Sequence, residues 1–132
     1  MKKALATLAI VGAAASSVLA LAPAASADSC ARTTLNTGYR GYWSTAYKSS
    51  TSGCHDLNVV MAAAPGGDSG DYYAGMYVNA SGSWTFGSRG YVYIPNGEYA
   101  VNKYILVSNL TNGREFGVAA WNNAGGAVTI AH

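Results

Sequence analysis

The residues best suited to catalysis lie in two short stretches of the chain. Gly67-Asp68-Ser69-Gly70 places a serine beside an acid, and His55 is followed directly by Asp56. A serine hydrolase needs a serine, a base and an orienting acid in one constellation, but the chain contains no Gly-x-Ser-x-Gly nucleophile elbow. Adjacent strand residues point to opposite faces, so His55 and Asp56 are poorly placed to form an acid–base pair. The sequence therefore predicts no hydrolase site of this type.

Paired carboxylates offer a second kind of chemistry, because a glycosidase uses two facing carboxyl groups. Asp68 and Asp71 flank a glycine-rich turn. Aspartate at such a turn commonly accepts hydrogen bonds from the turn's own backbone. We therefore expect these two carboxylates to stabilise the turn, and the chain to be non-enzymatic.

Cys30 and Cys54 are the two cysteines of the chain. In a small exported domain two such thiols usually pair, and closing a loop of this length stabilises the fold by about 3.5 kcal/mol in loop-entropy theory. The alternative is a zinc site completed by His55 and His132. We predict a Cys30–Cys54 disulfide with no metal and no cofactor, and we expect His132 to be exposed to solvent.

Export is predicted from the first 27 residues. Lys2 and Lys3 precede an uncharged run, and Ala25-Ser26-Ala27 is the small-x-small pattern of a signal-peptidase site. The alternative is a membrane anchor, but threonine, serine, glycine and many alanines make the run weakly hydrophobic. We expect a signal peptide over 1–27, a single secreted domain over 28–132, and no membrane attachment after cleavage.

The charge balance narrows the class of partner. The chain has eight basic and six acidic residues, and two of the basic residues are Lys2 and Lys3, which leaves six against six. A neutral domain lacks the basic surface that nucleic acids and anionic lipids attract. We therefore exclude nucleic acid as a partner.

Glycine-rich turn signals recur roughly every ten residues and separate segments rich in strand-forming residues. The predicted strands are Gly41–Ala46, Leu57–Ala63, Tyr72–Asn79, Ser83–Phe86, Tyr91–Ile94, Tyr99–Leu110, Glu115–Trp121 and Ala127–Ala131. Pro95-Asn96-Gly97 and Thr111-Asn112-Gly113 are typical of hairpin turns. The pattern predicts an all-β fold, a small antiparallel β-sandwich of about seven to eight strands.

Tyrosines alternate with aliphatic residues on two of these strands. They belong either to a second hydrophobic layer or to an exposed aromatic patch. Tyrosine and arginine dominate the energetics of protein interfaces. We therefore predict a partner-binding face made of Tyr73, Tyr77, Arg89, Tyr91 and Tyr93.

The order of motifs resembles that of a family of small proteins secreted by streptomycetes and their relatives. Gly41-Tyr42-Trp43 lies between the cysteines, Cys54-His55-Asp56-Leu57-Asn58-Val59 follows, then Gly82-Ser83-Trp84 and a closing Val128-Thr129-Ile130-Ala131-His132. This layout is similar to that of the disulfide-bonded adaptor subunits of umbrella toxin particles. Those adaptors join lectin-bearing arms to a large polymorphic toxin. The resemblance implies an extracellular protein partner, a large toxin or lectin subunit.

A second resemblance is to crystallin-type Greek-key domains. Tyr72 and Tyr77 have the aromatic spacing of that motif, but Asn79 stands where its glycine belongs and its calcium-binding pair is missing. The sequence therefore favours a secreted protein-interaction domain, an adaptor in an extracellular antibacterial toxin complex. One alternative is an inhibitor of an extracellular hydrolase acting through the loop 65–70. The other is a carbohydrate-binding module with Trp43, Trp84 or Trp121 as its platform.

Overall fold

The computed structural model describes residues 29–132, so the signal peptide predicted over 1–27 lies outside the described residues. The strands are β1 (Arg32–Tyr39), β2 (Gly41–Tyr42), β3 (Ala46–Tyr47), β4 (Leu57–Ala63), β5 (Gly70–Val78), β6 (Trp84–Phe86), β7 (Val92–Pro95), β8 (Gly97–Glu98), β9 (Tyr104–Val107), β10 (Glu115–Ala120) and β11 (Ala127–Ala131). No helix occurs in this part of the chain, and hence none that could cross a membrane. The all-β class is confirmed, but one curled sheet of eleven strands replaces the seven or eight strands predicted.

The sheet has two arms that share β1. The first half of β1 pairs with β11, and its end pairs with β10. One arm, here called the β11 arm, continues through β4 to β8 and β9. The other, the β10 arm, continues through β5 to β6 and β7, with β2 and β3 packed beside it. The β1–β10 pairing is parallel, which departs from the antiparallel arrangement predicted.

Sequence reasoning missed β1 because its segment shows no apolar alternation. Leu35 is its only aliphatic residue. Its strand character comes from β-branched threonines and from partners on both sides. Thr34 lies opposite Thr129, and their hydroxyls are 2.7 Å apart in a hydrogen bond. Two other predicted strands are interrupted or shorter in the structure. The predicted strand Gly41–Ala46 is replaced by the two short strands β2 and β3, and within Tyr99–Leu110 only β9 forms a strand.

Both arms bury side chains in one core. Alternation predicts inward-facing residues on β4, β10 and β11, and Leu57, Val59, Phe116, Val118, Val128 and Ile130 lie in the core as expected. The same pattern predicts Met61 inward, but Met61 is only half-buried, because the register with β11 shifts between Val59 and Met61. Residues of β1, β5, β7 and β9 complete the core. The core comprises Leu35, Leu57, Val59, Ala62, Tyr73, Ile94, Leu106, Val107, Leu110, Phe116, Val118, Ala120, Val128 and Ile130. The arms are in close contact at Gly75, where a β-carbon would lie 2.5 Å from the side chain of Val107.

Two turns predicted to close hairpins instead cross from one arm to the other. Before Asn96, β7 pairs with β5, and after it β8 pairs with β4. Asn96 accepts a hydrogen bond from the amide of Ala64 and donates to the carbonyl of Asp68, both at short distance. The segment 111–113 likewise joins β9 to β10, which belong to different arms. The hairpin predictions are wrong because Asn-Gly indicates local backbone conformation, not the strands it connects.

The predicted Cys30–Cys54 disulfide is present. Beside it, the buried ammonium of Lys48 donates to the carbonyl oxygens of Ser49 at 2.8 Å and of Cys54 at 2.5 Å. Burial lowers the pKa of Lys48, and the nearby carboxylate of Asp56 opposes that shift. The cation therefore ties the loop before the disulfide to the disulfide itself.

The expectation that His132 is exposed is wrong, because its side chain is only 4% exposed. Its ring meets Phe116 edge-on at 4.9 Å. The amide of Ser49 donates to Nδ1 at 3.0 Å, so the proton of the neutral ring lies on Nε2, which is 3.0 Å from Oγ1 of Thr33. Burial, and secondarily the charge of Lys48, lowers the pKa of His132.

We expect stability to fall as the pH drops below about 6.5. The unfolded chain takes up the His132 proton near the ordinary pKa, whereas the folded state resists it, so unfolding is favoured at acid pH. Denaturant unfolding followed between pH 5 and 7.5 should lose this part of its pH dependence in His132→Gln. The matched control is His55→Gln, since His55 is exposed. An unchanged slope in His132→Gln would contradict the assignment.

Candidate functional site

An aromatic surface covers the side of the β10 arm that faces away from the core. We call it the outer aromatic face and define it as Tyr42, Tyr72, Trp84, Phe86, Tyr91, Tyr93 and Trp121. Tyr42 stacks on Trp84 with ring centroids 4.0 Å apart, and three edge-on or tilted contacts of 5.1 to 5.7 Å join other members. Five of the seven are large exposed hydrophobic residues, with 41 to 45% of their surface accessible. So many exposed aromatic side chains on one side of a sheet are uncommon on a domain with no partner.

Strand register explains why these rings share one side. Tyr72 lies opposite Tyr93, whereas Tyr73 lies opposite Val92 in the core. On the neighbouring strand β10, Gly117 leaves the sheet surface bare. A β-carbon there would lie 2.6 Å from the β-carbon of Tyr42, so only glycine lets Tyr42 lie on the sheet.

Tyr72, Tyr91 and Trp121 line a cleft of about 300 Å³, which we call the aromatic cleft. Tyr91 and Trp121 meet edge-on with centroids 5.1 Å apart. The backbone amide of Trp121 donates to the carbonyl of Tyr72 at 2.9 Å, which fixes one wall against another. The lining is almost wholly carbon, so the cleft is suited to apolar groups.

Arg40 lies at the edge of this cleft. Its guanidinium is 3.7 Å from the ring centroid of Trp121 and 5.0 Å from that of Tyr39. Burial raises the pKa of Tyr91, and the charge of Arg40 opposes that shift. The cleft therefore combines apolar walls with one positive charge.

The side chain of Asp71 connects the two chain segments that carry Tyr72 and Trp121, two of the residues that line the cleft. Its buried carboxylate accepts hydrogen bonds from the amide of Tyr72 at 2.7 Å and from the amides of Asn122 at 3.1 Å and Asn123 at 3.2 Å. These amides belong to Tyr72 itself and to the two residues that directly follow Trp121, so Asp71 connects two of the residues that line the cleft. The role predicted for Asp71, as an acceptor for local backbone, is thus extended to a segment distant in sequence.

The predicted partner-binding residues do not form one surface. Tyr73 is fully buried and Tyr77 packs against the core, while Arg89 donates to the hydroxyl of Ser108 at 3.3 Å. Tyr91 and Tyr93 belong to the outer aromatic face.

The predicted set includes Tyr73 and Tyr77 of β5, which lie toward the core, and lacks Tyr72 and Arg40. Trp121 was considered only as a candidate sugar platform. The pairing of Tyr72 with Tyr93 was a usable signal, because aromatic cross-strand pairs are favoured. No local signal places Arg40 beside Trp121, which is 81 residues away.

Two of the carboxylates considered for catalysis accept hydrogen bonds from nearby amide groups. Asp56 accepts a hydrogen bond from the amide of Asn109 at 2.8 Å, and Asp68 accepts one from the side-chain amide of Asn123 at 2.8 Å. Across residues 29–132, no group of three or more histidine, cysteine and carboxylate side chains could hold a metal ion. Both cysteines are bonded to each other and are not thiolate ligands.

No protein-family model, curated protein or solved structure matches this chain.

Replacing Asp71 with alanine should destabilise the fold by about 3 kcal/mol, because three backbone amides lose their hydrogen bonds to this buried carboxylate. Asp68→Ala is the matched control: Asp68 is exposed, and its loss should change the free energy of unfolding by less than about 0.5 kcal/mol. Thermal and denaturant unfolding of both variants measure the difference. Equal stability of the two variants would show that Asp71 does not organise the cleft.

Replacing Tyr73 with phenylalanine should maintain or raise stability, by up to about 1 kcal/mol, because its buried hydroxyl has no hydrogen-bond partner. Burial, assisted by Asp71, raises the pKa of Tyr73 to about 12. The unfolded state therefore ionises first, and stability should fall between about pH 10 and pH 12. That alkaline loss should shrink in Tyr73→Phe and persist in Tyr47→Phe, whose side chain is 65% exposed. A less stable Tyr73→Phe would contradict this account.

Proposed function

We propose that this protein is a secreted, non-enzymatic domain that binds another extracellular protein through the outer aromatic face. The observation that carries the proposal is the aromatic cleft, a recess of about 300 Å³ lined by three residues of the outer aromatic face. Tyrosine, tryptophan and arginine are the residue types enriched at the centres of protein interfaces. A central recess among such residues suits an anchoring side chain of a partner.

The lining of the aromatic cleft supports a protein partner over a sugar. Arg40 covers one ring face of Trp121, and Tyr42 covers one of Trp84, so each ring has at most one face left for a ligand. A sugar site also needs polar side chains beside that ring face to bind hydroxyl groups. The residues lining the aromatic cleft contribute neither amides nor carboxylates.

The loop 65–70 gives weaker support to the hydrolase-inhibitor alternative. An inhibitory loop places a side chain in the specificity pocket of its target. Gly66 and Gly67 adopt positive φ values of 69° and 79° at the tip of this loop and have no side chain to offer. The outer aromatic face is the better candidate for contact.

The Cys30–Cys54 disulfide supports an extracellular compartment, because such bonds persist in oxidising surroundings outside the cytosol. The adaptor role stays a prediction from the layout of motifs. In that role the partner is a large toxin or lectin subunit of an extracellular particle.

The mature chain, immobilised and exposed to the supernatant of the producing cells, should capture a protein. Tyr93→Ala should weaken capture by about 1–3 kcal/mol with little change in melting temperature, because Tyr93 is exposed on the outer aromatic face. Tyr47→Ala is the control: Tyr47 is 65% exposed and contacts none of those rings. Tyr77→Ala should instead lower the melting temperature, since Tyr77 packs against the core.

Capture that is equal for Tyr93→Ala and the parent chain would place the docking surface elsewhere. Recovery of glycans in place of protein would favour the carbohydrate-binding alternative.

A further inference from the structure

Arg40 occupies a backbone conformation that arginine rarely adopts. Gly38 pairs with Gly41, so Tyr39 and Arg40 form a tight turn between β1 and β2. Arg40 has a φ of +54° there, in the left-handed region where glycine or asparagine is far more common. Strained residues of this kind persist where surrounding structure imposes them, and they cluster at functional sites. The turn therefore places the Arg40 side chain at the edge of the aromatic cleft at a cost in backbone conformational energy that glycine would avoid.

Most N–H donors of the exposed Arg40 guanidinium have no acceptor within the described residues. Arginine carries five N–H donors, and among the described residues Arg40 uses one, a long 3.4 Å bond from Nε to the carbonyl of Trp121. Its remaining contacts are the rings of Trp121 and Tyr39, and no carboxylate of residues 29–132 pairs with it. A guanidinium lying flat on an aromatic ring keeps its edge free for a carboxylate, which it can bind through two parallel hydrogen bonds.

Three other cations of the domain differ in this respect. Arg114 donates to the carbonyl of Asn79 at 2.8 Å, and Lys48 is buried among oxygen acceptors. Arg89 is stacked on no ring and donates to Ser108. Arg40 combines an open guanidinium with an adjoining apolar recess.

We infer that the aromatic cleft and Arg40 together bind an acidic–apolar segment of a protein, with a large apolar side chain in the cleft and a neighbouring Asp or Glu carboxylate on the guanidinium. This inference rests on the proposed function and names the chemistry of the partner. Charge complementarity selects the carboxylate. The exposed charge beside the cleft is the guanidinium of Arg40, which pairs with no carboxylate of residues 29–132, whereas the carboxylate of Asp71 is buried and bonded to backbone amides. The carbon-lined walls select an apolar side chain over the hydroxyl groups of a sugar acid.

The test is a selection of displayed random peptides on the immobilised mature domain, followed by calorimetric affinities of the enriched peptides. We expect the enriched peptides to carry Asp or Glu close to a large apolar residue. Arg40→Gln should weaken their binding about tenfold or more and remove most of its salt dependence. Arg89→Gln, the matched control, should bind like the parent chain.

Arg40→Gly separates binding from folding. Glycine accepts the positive φ of this turn, so this variant should melt at the same or a higher temperature while losing affinity as Arg40→Gln does. Loss of affinity accompanied by early melting would overturn the inference, because the role of Arg40 would then be structural.

Two further outcomes distinguish this inference from the proposed function. Enriched peptides without acidic residues, which Tyr93→Ala weakens and Arg40→Gln does not, would retain the outer aromatic face as a protein-binding surface and overturn the acidic segment. Peptides that bind both variants as tightly as the parent chain, or a selection that enriches no peptide, would overturn both the inference and the proposed function. Oligogalacturonate, an acidic sugar without peptide, is the remaining probe: Arg40-dependent binding of it in place of peptides would also overturn the inference.

Discussion

β1 changes partner at Thr37, and the shape of the domain depends on that change. The strand is paired with β11 up to Asn36 and with β10 from Gly38 onward. Thr37 itself bonds through its backbone to the loop before β11: its amide donates to the carbonyl of Gly126 at 3.0 Å, and its carbonyl accepts from the amide of Gly125 at 2.9 Å. Because one strand serves both arms, a shift of register in either arm would displace the other. The curl of the sheet, the shared core and the position of the turn at Arg40 all follow from this strand.

Hydrogen bonds to buried polar side chains determine the positions of loops that strand pairing does not fix. Asp71 joins the start of β5 to the segment after Trp121. Lys48 and His132 act similarly at the opposite end, near the disulfide, where each is satisfied by groups from other segments. Such groups are costly to bury without partners, so each of them favours one arrangement of its loops. The apolar core determines how the arms face each other, and these polar contacts determine where the cleft walls lie.

Alternation of residue types along short segments, together with the cysteine count, predicted several features of the structure correctly. The bounds of β4 and β11, the disulfide and the outward direction of Tyr91 and Tyr93 follow from alternation and cysteine chemistry. β1 could not be predicted in this way, since its strand character depends on neighbours at both sides and not on apolar residues of its own. The cleft was equally inaccessible, because Arg40 and Trp121 meet only through the parallel pairing of β1 with β10. The wrong hairpins at Asn96 and Asn112 have the same origin: a turn motif specifies backbone angles, whereas the strands it joins are chosen by the whole fold.

The most direct test of the account is an NMR titration of the mature domain with its captured partner, read at the indole N–H groups of the three tryptophans and at Nε–H of Arg40. Trp121 lines the cleft, whereas Trp43 is 63% exposed and lies outside the outer aromatic face. If the partner binds at the aromatic cleft, the resonances of Trp121 and Arg40 shift or broaden on binding while that of Trp43 stays in place. Changes at Trp43 alone, with Trp121 and Arg40 unaffected, would contradict the account.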